Sequence, residues 1–278
     1  MRFLLLVCFF SLIFGQNGQL QPPCACTQDV ASANREGLDA HGKRCLTDAS
    51  AAYTRALRLA PPSDPTPAQR DQILTFAPRL MVTANEPFRL KNAAAIMHPT
   101  RHWIAYHFFW EDDIDFPDDN DPCDHEVVWV QLNDARTEVI GFYTYFHGEV
   151  LRAPQRVLDN ARAHGGRVEA YVQWGKHGTL FPGWETTGRL KEYQQMTWKK
   201  LSTEGRSSQD SPLGRKWPRK FNGSWEDFNR FTRAVDLAAE LKSSGYLAVS
   251  CLNNAVINRH FLTYNFAAKT EWPEAICH

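Results

Sequence analysis

The chain predicts a mainly β protein: an antiparallel β-sandwich with an N-terminal helical preface and a C-terminal helix. Three observations carry this. Runs rich in aromatic and β-branched residues recur between Arg79 and Trp174, separated by turn residues. Ala- and Leu-rich segments with helical spacing fall outside that stretch. Aromatic residues make up 12% of the 278, with nine Trp, enough to fill two facing sheet surfaces.

Met1-Arg2 and the apolar run Phe3–Phe14 read as a secretory signal, residues 1–15, too short to span a bilayer. The expected localisation is secreted, with no transmembrane segment later in the chain. Residues 16–30, rich in Gln, Pro and Cys, form a leader. Residues 31–278 then form one β-sandwich domain whose helical preface is 31–76. Thr47 or Asp48 caps a helix through Ala49–Leu59, PPSDPTP ends it, and Thr66-Pro67 opens a short second helix. Leu80–Val82, His102–Trp110, Glu126–Leu132, Val139–His147 and Val168–Trp174 are strands, and Glu86–Phe88 is a turn or edge. Pro154–Ala163 is a short helix. Residues 175–222 read as long surface loops. Ser224 caps a helix reaching Leu241, and Gly245–Cys251 and Phe261–Phe266 are the last strands.

Thirty-one basic residues balance thirty-one acidic ones, which argues against nucleic acid as a partner. Loss of the signal leaves six cysteines in an oxidising compartment. Cys24 or Cys26 is expected to bond Cys45, and Cys251 to bond Cys277, although fifteen connectivities exist in principle.

The acidic stretch Glu111–Glu126 dominates the functional reading. Nine of its sixteen residues are acidic, and no Lys or Arg lies between Arg101 and Arg136. On an extended strand Asp124 and Glu126 share one face, roughly 6.5–7 Å apart at the backbone. If Leu132 pairs with Val139, Asp124 faces His147 and Glu126 faces Tyr145. Two carboxylates and an imidazole then converge, with Asp113, Asp115 and Asp121 as further donors from the preceding loop. Oxygen ligands with one imidazole favour a divalent cation, calcium or magnesium, over zinc. His177, between Gly175 and Gly178, is expected at an exposed turn, with Phe181 and Trp184 as an exposed aromatic rim for a ligand. Each motif also has a plain alternative: a solvated turn, an ordinary ion pair, a core histidine.

Ala77-Pro78-Arg79-Leu80, Asp124-His125-Glu126-Val127-Val128, Tyr145-Phe146-His147-Gly148 and the segment from Glu169-Ala170-Tyr171 to His177-Gly178 resemble the vacuolar protein sorting-associated protein 62 related family. More distantly the chain resembles the secreted necrosis-inducing cytolysins, which carry a Gly-His-Arg-His-Asp-Trp-Glu heptapeptide and bind a divalent cation on a β-sandwich. The resemblance covers roughly residues 77–185. It implies Asp124 and Glu126 as metal ligands, with His147 and His177 near the site. Pro122-Cys123 stands where the heptapeptide has Arg-His, and His125 replaces its Trp.

Three functions fit these residues. The first is a secreted, cation-dependent protein that binds a lipid headgroup or glycan. The second is a metal-dependent hydrolase of phosphodiesters or glycans, with His147 or His177 moving protons. The third is a structural scaffold in which calcium ties a loop. No nucleophile motif such as G-x-S-x-G occurs.

Overall fold

Residues 27–114, 123–203, 218, 220–261 and 269–273 are described by the structure, a computed structural model. It is a mixed helix-and-sheet fold in three layers, not a plain mainly β sandwich. The strands are β1 (Arg79–Thr83), β2 (Leu90–Met97), β3 (Trp103–Trp110), β4 (Asp124–Leu132), β5 (Val139–Phe146), β6 (Glu149–Arg152), β7 (Glu169–Val172), β8 (Thr179–Leu180), β9 (Phe231–Asp236) and β10 (Tyr246–Val249). They form a six-stranded sheet, ordered β10-β2-β3-β4-β5-β6, and a four-stranded sheet, ordered β8-β7-β1-β9. Two pairs, β1 with β7 and β10 with β2, are parallel, so the sheets are not purely antiparallel.

Strand β3 is buried along its whole length because it is covered on both faces. Ile104, Tyr106, Phe108 and Trp110 pack toward the small sheet, with Leu80, Val82, Ala170 and Val172. Fully burying side chains of this kind is worth about 1.5–3 kcal/mol each, which makes this inter-sheet layer the main core. On the outer face, Phe109 meets Ala94, Ile96 and helix α8 (Asn253–Phe261), and Trp103, Ala105 and Trp129 meet Trp272. Outside α8 lie helices α1 (Gln28–Gly42) and α2 (Leu46–Leu59), with Val30, Ala49, Tyr53 and Ala56 against Leu252 and Ala255. Gln28–Val30, expected in the leader, already belong to α1. Helix α3 (Pro67–Thr75) opens with the capping box its sequence announces: Gln69 N donates to Thr66 Oγ1 at 3.3 Å, and Thr66 N to Gln69 Oε1 at 2.9 Å. Tyr106 Oη then ties its end to the sheet, donating to Ile73 O at 2.8 Å. No helix among the described residues is long and apolar enough to cross a membrane.

The other departures have local causes. β2 was hidden by its Ala-rich sequence; as an inner strand between β10 and β3 it is held by ladder bonds on both sides. Helix α4 (Gln155–Ala163) forms where a short helix is expected, and the expected loops at 175–222 include helix α5 (Gly188–Thr203), whose buried face is Leu190, Gln194, Thr197 and Leu201. The helix expected from Ser224 to Leu241 is broken. Ser224 caps only α6 (Trp225–Phe228); Phe231–Asp236 pairs with β1; Asp236 then caps α7 (Leu237–Ser243). Phe261, expected in a strand, ends α8. Cys24, Cys26 and Cys277 lie outside the described residues. Cys45 is exposed, Cys251 is buried, and no disulfide occurs among the described residues.

The decisive register change lies between β4 and β5. Leu132 does pair with Val139, but Gln131 pairs with Gly141 and Val128 with Thr144. Ile140, 42% exposed, is the extra residue of a β-bulge. The ladder is therefore one residue out of step with the expected one, and Asp124 and Glu126 lose His147 and Tyr145 as opposite partners.

Candidate functional site

At the end of β4 nearest the small sheet, four carboxylates and three cationic side chains come together. The base of the cluster is His177, in the turn between β7 and β8. Its ring has no exposed surface. Its Nδ1 lies 2.8 Å from Asp124 Oδ2 and its Nε2 lies 3.2 Å from Glu86 Oε1. Trp110 stacks on the imidazole at 4.5 Å, and Phe88 meets it edge-on at 5.5 Å. Glu86 comes from the loop after β1. Its Oε1 also accepts from Phe88 N at 3.1 Å, and its Oε2 from Gly175 N at 2.9 Å.

Burial alone would lower the His177 pKa, but Glu86 and Asp124 overcome it and push the group up to about 10. His177 is therefore an imidazolium at neutral pH. Burial would raise Asp124, yet the hydrogen bond and charge of His177 hold it below the usual carboxylate range. The local backbone makes this possible. Gly175 and His177 both take left-handed φ, 65° and 53°, which turns the chain back toward β4. Gly178 admits the neighbouring turn: a Cβ there would stand 2.8 Å from His147 Nε2.

Around this base lie Asp113, Lys176, Glu126 and Lys269. Lys176 Nζ is 2.5 Å from Asp113 Oδ2, with the two side chains 15% and 16% exposed. Lys269 Nζ is 3.4 Å from Glu126 Oε1 and 4.8 Å above the Tyr145 ring. Burial raises Asp113 to about 6 and Glu126 to about 8. Burial would lower Lys269, but Glu126 and Asp124 hold it above its ordinary value. Burial thus favours the neutral form of Glu126, while Asp124 is held as a carboxylate beside the His177 imidazolium. Such a set can offer both hydrogen-bond donors and acceptors to a ligand at its mouth, and it joins one low and one high carboxyl on a single strand.

The residues expected at the site are thus partly gathered and partly dispersed. Asp113, Asp124, Glu126 and His177 are brought together. His147 takes part only at the edge: its Nε2 meets Gln173 Oε1 at 2.7 Å and bonds neither carboxylate. Burial lowers its pKa to about 4, so it is neutral. Gln173 continues to Gln194 of α5, and Gln194 Nε2 donates to Asn229 Oδ1 at 3.1 Å. His177 is buried, not exposed, because two carboxylates and Trp110 enclose it. Phe181 and Trp184 form no rim; they are 5% and 3% exposed and belong to the inter-sheet core. Asp115 and Asp121 lie outside the described residues. Glu86, Lys176 and Lys269 were missed. Lys176 adjoins His177 in sequence and could have been found; Lys269 arrives from the far end of the chain with no local signal.

A hard cation would want the oxygens of Asp124 and Glu126, and Glu126 Oε2 is buried with no hydrogen-bond partner among the described residues. The remaining oxygens named above face His177, Lys176, Lys269 or, for Glu86 Oε2, the Gly175 amide. Among the described residues no three His, Cys, Asp or Glu side chains are grouped to hold a metal ion. With Lys269 in place, the described residues do not fit a resident metal.

No protein-family model matches the chain, so the sorting-related resemblance has no such support, and no curated protein matches it. Among solved structures, necrosis and ethylene inducing protein 2 from the causal agent of cocoa's witches' broom disease is 13% identical over 41% of this chain, with TM-score 0.28. The chain covers 64% of that protein, under two thirds of its length. The protein NLPPya, in complexes with glucosamine and with mannosamine, is 16% identical over 43% of this chain and 70% of its own, with TM-score 0.30. A structure described as a toxin fold for microbial attack and plant defense is 18% identical over 43% of this chain and 71% of its own, with TM-score 0.29. The structural neighbours are toxin-fold proteins, distant and partial. Likeness at this distance carries no functional weight; the residues of this chain do.

Proposed function

We propose that the protein is a secreted binding protein that holds a sugar headgroup at the mixed-charge cluster. One observation carries this reading. Asp113, Asp124, Lys176 and Lys269 each keep 13–17% of the side chain exposed around a fully buried His177. Sugar hydroxyls both donate and accept, so a mouth of alternating carboxylates and ammonium groups on a rigid floor suits them. Export is supported by Arg2 and the apolar run Phe3–Phe14.

Titration of the full chain with neutral hexoses and hexuronates, followed by calorimetry or NMR, tests this. Saturable binding is expected, with a loss of about tenfold or more in Asp124→Asn, which keeps the shape but removes the charge facing His177. Absence of saturable binding to either sugar class refutes the reading. Cleavage of an oligosaccharide of the same sugars, added in a parallel titration, would replace binding with hydrolysis.

A further inference from the structure

Helices α2 and α8 leave an open groove of about 830 Å³ between them. One stripe of α2 makes its floor. Thr47, Ser50, Thr54 and Arg58 follow one another at helical spacing and line the groove, while Ala49, Ala52, Tyr53 and Ala56 turn the opposite face of the helix into the core. From Thr47 to Arg58 the stripe runs roughly 16 Å. Its small side chains make the hollow, and Arg55, Arg58, Arg259 and His260 stand around it. Among the described residues, no Asp or Glu lines it.

The basic side chains are held differently. Arg55 pairs with Glu36 of α1, an exposed ion pair that contributes little. Arg259 Nε donates to Thr54 Oγ1 at 3.0 Å, which sets its fork beside the stripe. Arg58 is exposed, and no hydrogen bond or ion pair holds it among the described residues. His260 stacks on Tyr246 at 4.0 Å, and burial and the Arg259 charge lower its pKa, so its ring is uncharged near neutral pH. The whole chain has no net charge, so three guanidinium groups around one groove are a local excess of positive charge.

We propose that this groove is a second binding site, which takes an oligosaccharide carrying anionic ester groups, sulfate or phosphate. A guanidinium presents its donors in a planar fork that matches two oxygens of such an ester. Arg58 and Arg259 take the esters, and the hydroxyls of Thr47 and Ser50 exchange hydrogen bonds with the sugar between them. Other polyanions suit the lining less well. A single-stranded nucleic acid needs rings on which its bases stack; His260 is the one ring in the described lining, and Tyr246 already covers one of its faces. A membrane surface needs protruding apolar side chains, and Leu46 and Ala51 are the only apolar residues in the described lining. None of these residues belongs to the cluster around His177, so this site does not depend on the sugar reading given for that cluster.

The test is calorimetric titration of the full chain with a heparin-derived hexasaccharide, which bears sulfates, and with a phosphorylated mannose hexasaccharide. Saturable binding of at least one is expected, and the tighter of them identifies the ester. The same sugars stripped of their esters should bind about tenfold more weakly or worse. Arg58→Gln alters a side chain that no bond ties to the fold, so it reads the ligand and not stability; a loss of about tenfold or more is expected. Arg58→Lys should fall between Arg58→Gln and wild type, because it keeps the charge and loses the fork. Arg70→Gln, which removes an exposed charge from α3, should bind as wild type. Absence of binding to both probes overturns the proposal, as does an equal loss in Arg70→Gln or equal binding of the stripped sugars. A loss in Asp124→Asn with none in Arg58→Gln would place the sugar at the His177 cluster and overturn it as well. So would tighter, Arg58-dependent binding to a single-stranded oligonucleotide or to vesicles containing phosphatidylserine, which would make nucleic acid or membrane the occupant.

Discussion

Replacing His177 with Gln tests the floor of the cluster most directly, because it removes a buried charge while keeping a polar side chain. His177 has no exposed surface and stands 2.8 Å from Asp124 and 3.2 Å from Glu86. Removing one partner of a buried ion pair costs about 3–5 kcal/mol, since the remaining charges are left uncompensated. The Gln amide still donates to one carboxylate, so the lower end, about 3 kcal/mol, is expected. At about 2–4 °C per kcal/mol for a chain of this size, the melting temperature falls by roughly 6–12 °C near neutral pH. The pH dependence separates the charge from the packing. Folding raises the His177 pKa from 6.5 to about 10. Its charge therefore stabilises fully below pH 6.5, and that contribution is lost as pH rises through 10. Urea midpoints for wild type and His177→Gln should be well separated near pH 6.5 and should converge toward pH 10. Glu126 contributes its own slope to both proteins, so the difference between them isolates His177. A gap below about 1 kcal/mol at pH 6.5, or one that stays constant to pH 10, would refute the assignment of a buried imidazolium.

Other outcomes follow from the same geometry. Burial raises Glu126 from 4.5 to about 8, so the folded state favours its neutral form and loses stability as pH rises from 4.5 through 8. Glu126→Gln should match wild type in urea unfolding at pH 5 and exceed it at pH 8.5; a deficit at pH 8.5 counts against the neutral acid. Gly178→Ala places a Cβ 2.8 Å from His147 Nε2, and overpacking of this kind costs about 1–3 kcal/mol. Thermal melts would show that loss, and NMR of the His147 ring would report whether its bond to Gln173 breaks. Ile140→Ser, at the exposed bulge, should change stability by no more than about 0.5 kcal/mol; a larger loss would mean that Ile140 packs against something.

Much of the middle of the fold was legible because its signals are local. Phe108, Trp110, Val128 and Val130 sit in aromatic and β-branched runs that mark their strands, and Thr66 and Gln69 announce a helix start within four residues. The rest was hidden by physical causes that local reading does not see. Gln194 and Thr197 occupy buried positions on α5, and Asn253, Asn254 and Asn258 on α8, so hydrophobic periodicity was muted where polar side chains are buried. At the site, Asp124, Glu126 and His177 could be named from sequence. The register that was to unite them with His147 failed at the one inserted residue, Ile140. The side chains that neutralise them, Glu86, Lys176 and Lys269, come from three separate parts of the chain.

The position of β1 in the small sheet sets an order of events during folding. Arg79 pairs with Glu169 on one side and Asp236 on the other, so both neighbours are synthesised long after it. Distant pairings of this kind are slow to close, and the hairpins of the larger sheet form first. The hairpin bearing His177 is itself local, and what waits for the distant closure is its docking beside β1. A nascent chain stopped before Phe231 would leave one border of β1 bare, ready to recruit a foreign strand.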